Sequence, residues 1–566
     1  FSLMSGVAGA YFKVLAYTMI ITLVCSFFVV WIMLPVVYLL FAGQAASESR
    51  TTHTTEPARW CNFLIHHPSL TFIFVALLVG TAVWATPRLA TGFLPEMDEG
   101  TIVLDYETPA GTSLEETDQI LQRVDAIINN TPEVSDYSRR TGTELGFFIT
   151  EPNMGDYLIQ LTNNRSKSTE EVISDIRTAI EQQIPAIRVD FGQVIGDMLG
   201  DLMSTAQPIE IKIFGNDPVV LRRYATQVAG LVEQVKGTAD VFDGIIIAGP
   251  SVSIYPRENA LAAYSMTPSD LWFQLHTQIQ GDEVGTILER EQLTTIRMIY
   301  PADVRTNVRQ LAQTTIFLPD GERKPLSDFA DIRSNPGSAE IIRENLEPMA
   351  DVTARLENRD LGSTIRDIQQ TVSSQIYLPK GYHITYGGAY AEQQQSFREL
   401  LLILISSSIL VLTIILFLFR EIRATFIVFL TSILGVSGCV LALYVTGTPL
   451  NVGSYTGVIM IVGIIAENAI FTYYQFQYAR GQMGMSLNDA INYSISRRLR
   501  PNVMTASAAI TALLPLAVAI GVGAQLHQPL AIAVIGGFVV ALPLLLMVLP
   551  TLIRLFFREQ DTESAS

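Results

Sequence analysis

Long apolar runs set the narrowest limit on what this chain can fold into. They cover Val14–Phe41, Ser69–Ala85, Leu400–Phe419, Ala424–Val445, Val452–Phe476, Val503–Val522 and Leu530–Leu552. Each is long enough, at 1.5 Å of rise per helical residue, to cross or nearly cross a hydrocarbon core about 30 Å thick. The last five are separated by short connectors, which argues against buried core helices of a soluble domain. A chain of 566 residues that is 49% hydrophobic, with a mean hydropathy of +0.33, is a membrane protein by composition.

The basic residues orient these spans. Arg50 and Arg59, Arg420 and Arg423, Arg480, Arg497, Arg498 and Arg500, and the tail with Arg554 and Arg558 all fall on one side. The opposite short loops, Thr446–Asn451 and Gly523–Pro529, hold no Lys or Arg. The basic side is therefore cytoplasmic, and the polar insert from Thr86 to about Ser396 lies outside. Much of the net charge of −17 sits in that insert. An acidic outer surface excludes nucleic acid as a partner and suits cations, although it also serves solubility. Cys25, Cys61 and Cys439 all lie outside the insert, so it has no disulfide framework and no thiolate metal site. The histidines, including adjacent His66 and His67, match no zinc spacing. No Gly-x-x-x-x-Gly-Lys-Ser/Thr loop is present, which disfavours an ATP-driven pump, and nothing points to an enzyme.

Glu467 is the one ionisable residue in the middle of any span. A carboxylate at membrane depth costs several kcal/mol unless it is paired or neutralised. Such a group is what a proton-driven machine needs, and Asn468 is its nearest polar neighbour for a purely structural pairing.

The insert alternates strand and helix. Strands are expected at Thr101–Glu107, Asp156–Leu161, Ile209–Phe214, Ser251–Tyr255, Thr315–Leu318 and His383–Gly387. Helices are expected from Ser113 to Asn129 with Glu116 in a capping box, over Thr169–Gln182 capped by Ser168, and over Pro218–Val235. Repeated β-α-β of this kind builds small split βαβ subdomains, two or three of them at this length.

Several strings, in order, resemble the second half of the resistance-nodulation-division (RND) efflux permeases. They are Phe93-Leu94-Pro95-Glu96-Met97-Asp98-Glu99-Gly100, then Thr108-Pro109-Ala110-Gly111-Thr112-Ser113, Gly463-Ile464-Ile465-Ala466-Glu467-Asn468-Ala469, and Arg498-Leu499-Arg500-Pro501 followed by Met504-Thr505. The resemblance covers essentially the whole chain. It implies an α+β membrane protein: a bundle of about seven transmembrane helices bearing a large periplasmic insert of ferredoxin-like porter and docking subdomains. The implied segments are 1–41, one helix ending the first membrane half; 42–67, a cytoplasmic connector; 68–88, a membrane helix; 89–396, the porter and docking domain; 397–557, a five-helix bundle; and 558–566, a cytoplasmic tail. Docking to other proteins is expected around Asp240–Tyr300. The chain begins at Phe1 and reads as part of a longer polypeptide or as a split partner.

By the same resemblance the protein is a bacterial inner-membrane proton antiporter with no cofactor. Its partners are an N-terminal permease half carrying paired aspartates, two further copies in a homotrimer, a periplasmic adaptor, an outer-membrane channel and the lipid bilayer. Glu467 takes the position of the relay lysine of drug exporters, where metal exporters often have an acid. Arg498 matches the relay arginine and Thr505 the relay hydroxyl, with Asn468 beside them. Arg498 could equally be a cytoplasmic anchor, and Thr505 a hydroxyl bonded to its own helix. Met154, Met203 and Met266 fall at or near the thioether ligands of copper- and silver-exporting relatives, although Met is also a common core filler. Glu144, Glu151 and Asp156 offer a carboxylate alternative for zinc or cobalt. Phe147 and Phe148 could line an apolar drug cleft or simply pack a core. A metal exporter, a drug exporter and an inactive half thus remain open, with the acid at 467 leaning toward metal.

Overall fold

A computed structural model describes residues 4, 6–41, 63, 66–95, 97–145, 149–203, 207–246, 249, 251–290, 292–301, 308–335, 340–521 and 523–557. Its outer insert is two ferredoxin-like units with a third body spliced into the second.

The first unit runs β1 (Thr101–Glu107), helix Leu114–Asn129, β2 (Val134–Thr141), β3 (Met154–Leu161), helix Thr169–Gln183 and β4 (Arg188–Gly192), in sheet order β2-β3-β1-β4. Strand alternation decides its faces. Ile102, Leu104 and Tyr106 of β1 and Tyr157, Ile159 and Leu161 of β3 pack against Leu121, Val124, Ile173 and Ile176 of the two helices. Each such fully buried aliphatic chain contributes about 1.5–3 kcal/mol. Both helices start on serine caps: Ser113 accepts from the Glu116 amide, and Ser168 forms a full capping box with Glu171. Glu116 does not return the bond, so the expected box at the first helix is a simple cap.

The second unit has the same order. β5 (Ile209–Phe214), helix Pro218–Val232 and β6 (Thr238–Phe242) form its first half. The chain then leaves for an inserted body, which holds β7 (Ser251–Pro256), helices Glu258–Ala263 and Pro268–Ile279, hairpin β8 (Asp282–Glu289) and β9 (Gln292–Met298), β10 (Thr315–Phe317), β11 (Arg323–Pro325) and β12 (Ala330–Asn335). It returns through β13 (Ile342–Glu344), β14 (Glu347–Leu356), helix Leu361–Gln375 and β15 (His383–Gly387). The sheet is β13-β14-β5-β15, with β6 paired to β14. This body is thus inserted between the second and third strands of a unit otherwise like the first. Asp240, expected to open the docking region, lies in β6 of this second unit; its carboxylate accepts from Arg177 of the first, 2.8 Å away.

β15 passes directly into the helix Gly388–Phe419, whose 32 residues lead into the apolar bundle. Six helical stretches among the described residues are long and apolar enough to cross a membrane: Ala8–Phe41, Pro68–Arg88, Gly388–Phe419, Ile422–Thr446, Val452–Gly481 and Ala524–Phe556. The expected span Val503–Val522 differs. It belongs to a helix, Leu487–Ala517, that begins with polar residues and carries Arg497, Arg498 and Arg500 before its apolar part. That helix stops five residues early, where Ala519 and Gly521 turn to positive φ.

Candidate functional site

The first unit's sheet turns one face to its helices, and the other face carries the polar side chains of β1 and β3. Backbone register lines up four charged residues across that second face. Arg140 of β2 stands opposite Asp156, Asp156 opposite Asp105, and Asp105 opposite Asp190. Directly opposed side chains on neighbouring strands have Cβ atoms about 5 Å apart, and like charges so placed repel. The row is therefore an electrostatic load built into the middle of the sheet.

Each carboxyl has a different environment. Asp156 is fully buried; Arg140 donates Nε to its Oδ1 at 2.8 Å, and the Leu145 amide donates to its Oδ2 at 2.9 Å. Among the described residues no cation forms an ion pair with Asp105. Burial, and then the carboxylates of Asp197, Asp190, Glu144 and Asp156, push its carboxyl up to about 8. Burial and Asp240 raise Asp190 to about 6, against the opposing pull of a Gln207 hydrogen bond and of Arg355. Gln207 donates to Asp190 Oδ2, while Oδ1 is buried with no hydrogen-bond partner among the described residues.

The Phe93–Gly100 string organises the rim of this face. Both Glu99 carboxylate oxygens accept the Ile195 amide, at 3.0 and 3.1 Å. An acid at a helix N-terminus is favourable, and here it fixes the helix Val194–Met203 that carries Asp197 toward Asp105. Asp98 accepts from Arg165 and Thr169 of the same unit, and its amide donates to Gln525 Oε1 at 3.2 Å at the start of a membrane helix.

The methionines do not assemble as expected. Met154 is half-buried at the start of β3, on the acid-row face and opposite Glu107. Met266 is 5% exposed in the core of the inserted body with Leu261, Leu271, Leu275, Ile316 and Phe329. The reason is local. The helix Glu258–Ala263 ends with Ser265 at φ +54°, the Ser265 amide bonded to Ala262 and the Met266 amide to Leu261. This is a Schellman cap, which calls for an apolar residue at the position of Met266 to pack on Leu261. Met203 ends the helix Val194–Met203; its side chain, like Phe147 and Phe148, lies outside the described residues. Of the acids proposed as alternatives, Asp156 and Glu144 join the row's surroundings, whereas Glu151 sits on an exposed turn. Among the described residues no three His, Cys, Asp or Glu side chains converge tightly enough to enclose a metal ion. The carboxylates form a line.

Sequence reasoning missed Asp105 and Asp190. The signal for Asp105 was available: in Thr101-Ile-Val-Leu-Asp-Tyr-Glu107 the acid occupies the face opposite Ile102, Leu104 and Tyr106. Only register could reveal that three strands put Asp on the same row.

In the membrane, Glu467 is the sixteenth residue of the 30-residue helix Val452–Gly481, at its midpoint. It is exposed, on a stripe with Gly463, Phe471, Tyr474 and Tyr478. The Arg498 guanidinium lies over the Phe471 ring, 4.7 Å from its centre, a cation–π arrangement. Phe471 is one helical turn from Glu467, about 6 Å along the axis. No ion pair joins Glu467 and Arg498 among the described residues. Asn468 donates to the Ile464 carbonyl at 3.0 Å and so serves its own helix. Thr505 is exposed on the helix that carries Arg498.

Comparison with known proteins gives a consistent answer. Residues 1–557 match the AcrB/AcrD/AcrF family. The cobalt-zinc-cadmium resistance protein CzcA of Cupriavidus metallidurans is 28% identical over 577 residues, covering 99% of this chain and 54% of the relative. Protein HelA of Legionella pneumophila is 29% identical, covering 98% and 54%. The cation efflux system protein CusA of Escherichia coli K12 is 24% identical, covering 87% and 48%. A crystal structure of a heavy metal efflux pump superposes with a TM-score of 0.76 at 25% identity, covering 88% of this chain and 52% of that one. The chain spans about half the length of the curated relatives it matches.

Proposed function

Because this chain belongs to the AcrB/AcrD/AcrF family of RND membrane transporters, we propose that it works in the bacterial inner membrane as part of a proton-driven exporter of divalent metal cations. The observation that carries this reading is the Asp156–Asp105–Asp190 row. Asp and Glu oxygens can ligate a dication such as zinc, whereas Cu(I) selects soft thioethers, and only Met154 of the three methionines has a described side chain on the row's face. The names of the relatives, cobalt-zinc-cadmium resistance and cation efflux, point the same way and favour a metal over an organic drug.

In this mechanism Asp105 does two jobs. Protonated near neutral pH, it lowers the repulsion within the row. When a dication arrives, the proton leaves and the charge on Asp105 joins Asp190 or Asp156 in holding the metal. Closing the second porter unit over the row would supply further ligands, because a linear row cannot surround an ion. Glu467 is the site of proton uptake in the membrane, and Arg498, held one turn away by Phe471, is placed to meet its carboxylate if the two helices slide. Asn468 and Thr505 flank that route.

The complete transporter would bring a second membrane half against the exposed Glu467 stripe. It would assemble as a homotrimer and dock through residues 251–335 to an adaptor and an outer-membrane channel. The test is resistance and cation efflux in cells that carry the complete transporter with Asp105→Asn. Lost zinc, cobalt or cadmium export with normal expression is expected. Unchanged resistance would sink the acid-row reading, and a transporter with no cation export in its wild-type form would point to a structural half.

A further inference from the structure

Glu210 lies at the second residue of β5, only 2% exposed, on the sheet face opposite the Ile209, Ile211 and Ile213 core. Its Oε2 accepts the backbone amide of Gly388 at 2.9 Å. Gly388 is the first residue of the 32-residue helix that leads into the membrane bundle. The chain is shaped around this contact. A Cβ on Gly387 would come within 2.1 Å of Glu210 Oε2, and one on Gly388, at φ +67°, within 2.6 Å of the Pro208 carbonyl. Gly388, with its positive φ and backbone clash, therefore excludes any side chain, and one at Gly387 would displace the Glu210 carboxylate.

The groups facing Glu210 come from each neighbouring strand. Lys212, two residues along β5, places Nζ 3.4 Å from Glu210 Oε1 and 2.7 Å from Glu344 at the end of β13. Asp351 of β14 stands opposite Lys212, and its Oδ1 is buried with no hydrogen-bond partner among the described residues. β15 contributes Thr385 and Gly387, which do not titrate, and the long helix contributes its first amide. Burial, and then the Glu210 charge, push the Asp351 carboxyl up to about 8. Below that pH Asp351 is neutral beside Glu210; above it, two carboxylates confront each other.

We propose that Glu210 is a positioning residue for transport: its buried carboxylate clamps the first turn of the long helix to the second porter sheet, so that axial movement of that helix is delivered to the cleft. An anion at the N-terminus of a helix is favourable, and a charge-assisted bond to a backbone amide is stronger than a neutral one. Asp351 makes the clamp sensitive to pH. Its proton stabilises the clamp below pH 8, and the clamp loosens as that proton leaves. The inference rests on the transport reading above, but one of its readouts does not involve cargo.

The experiment uses the complete transporter with Glu210→Gln and Asp351→Asn, with Cd²⁺ as the probe. For Glu210→Gln, Cd²⁺ affinity should stay within about twofold of wild type while proton-driven Cd²⁺ turnover falls at least tenfold. The alkaline limb of its pH–rate profile, near pH 8 in wild type, should be lost, because Asp351 no longer has a carboxylate to confront. Amide hydrogen exchange over residues 388–392, measured without cation, should speed up at least tenfold at fixed pH. Asp351→Asn should keep turnover at pH 7 and lose the limb. A wild-type rate, pH profile and exchange in Glu210→Gln would overturn the proposal, as would a limb that persists in Asp351→Asn. If no protein binds Cd²⁺ yet Glu210→Gln still accelerates exchange, the cation reading fails and the clamp stands. Equal losses of affinity and turnover, with exchange raised across the whole protein, would mark a general folding role and also overturn it.

Discussion

If the acid row takes the cargo, cation binding must release a proton from Asp105, and the pH dependence can be worked out beforehand. With its carboxyl at about 8, roughly one molecule in a hundred is ionised at pH 6 and half at pH 8, so affinity should rise about 50-fold over that interval. Asp190, at about 6, is half ionised at pH 6 and adds a further factor of about two. Together these amount to about 100-fold, or ~2.7 kcal/mol. The assay is calorimetric titration of the detergent-solubilised transporter with Cd²⁺ and Co²⁺ at pH 6, 7 and 8. Running it in two buffers of different ionisation enthalpy counts the protons released, and close to one per cation is expected at pH 7. Asp105→Asn should cut the pH effect to Asp190's factor of about two and the proton count to about a tenth. An affinity flat between pH 6 and 8, with no proton released, would refute the reasoning.

Stability should respond in the opposite sense. Asp105 is raised from 3.8 to about 8 on folding, so the native state holds the extra proton between those values and stability falls as pH rises through them. About four pKa units set a ceiling on the order of 5 kcal/mol. Asp105→Asn should therefore melt above wild type at pH 8 in scanning calorimetry, and the gap should narrow at pH 5; a constant gap would contradict the burial argument. Met266→Ala should cost about 2–4 kcal/mol, as buried methionine truncations do, with unchanged Cd²⁺ affinity; a selective loss of affinity would return Met266 to the cargo path. Glu467→Gln should abolish proton-driven export while cleft affinity and assembly persist, and wild-type resistance in such cells would remove Glu467 from the proton route.

The membrane architecture was legible because apolar length is a strong signal, and Thr101–Glu107, Ile209–Phe214 and His383–Gly387 were readable as strands to the residue. Three of the strands that were missed share a cause, whereas β14 was missed although Ala350, Val352 and Ala354 lie in the core. β2, Val134–Thr141, reads Val-Ser-Asp-Tyr-Ser-Arg-Arg-Thr, with Val134 and Tyr137 packed, partly buried, against the core. β8 and β9 form a hairpin exposed along nearly its whole length. Neither shows the apolar alternation on which a sequence reading depends. The site was half legible for a related reason. Glu467 stands out because hydrocarbon surrounds it in the sequence itself. Asp105 and Asp190 are 85 residues apart and acquire meaning only when β1 and β4 pair. Met266 looked like a ligand because residue type alone does not distinguish a thioether at a metal from one closing a helix cap.

Three aspartates abreast also make the empty sheet costly to maintain. A protein whose resting form carries repulsion only partly relieved by a proton, and whose cargo relieves the rest, ties its own survival to supply: binding of a ligand to the folded form alone deepens its stability with ligand concentration. Quality-control proteases remove the molecules that open most often. In a cell without the metal, the exporter should be cleared sooner; under metal stress the same molecules should persist, and export capacity would climb before any new transcript is made. A pulse-chase half-life measured with and without Cd²⁺ reads this directly, and Asp105→Asn should narrow the gap between the two half-lives.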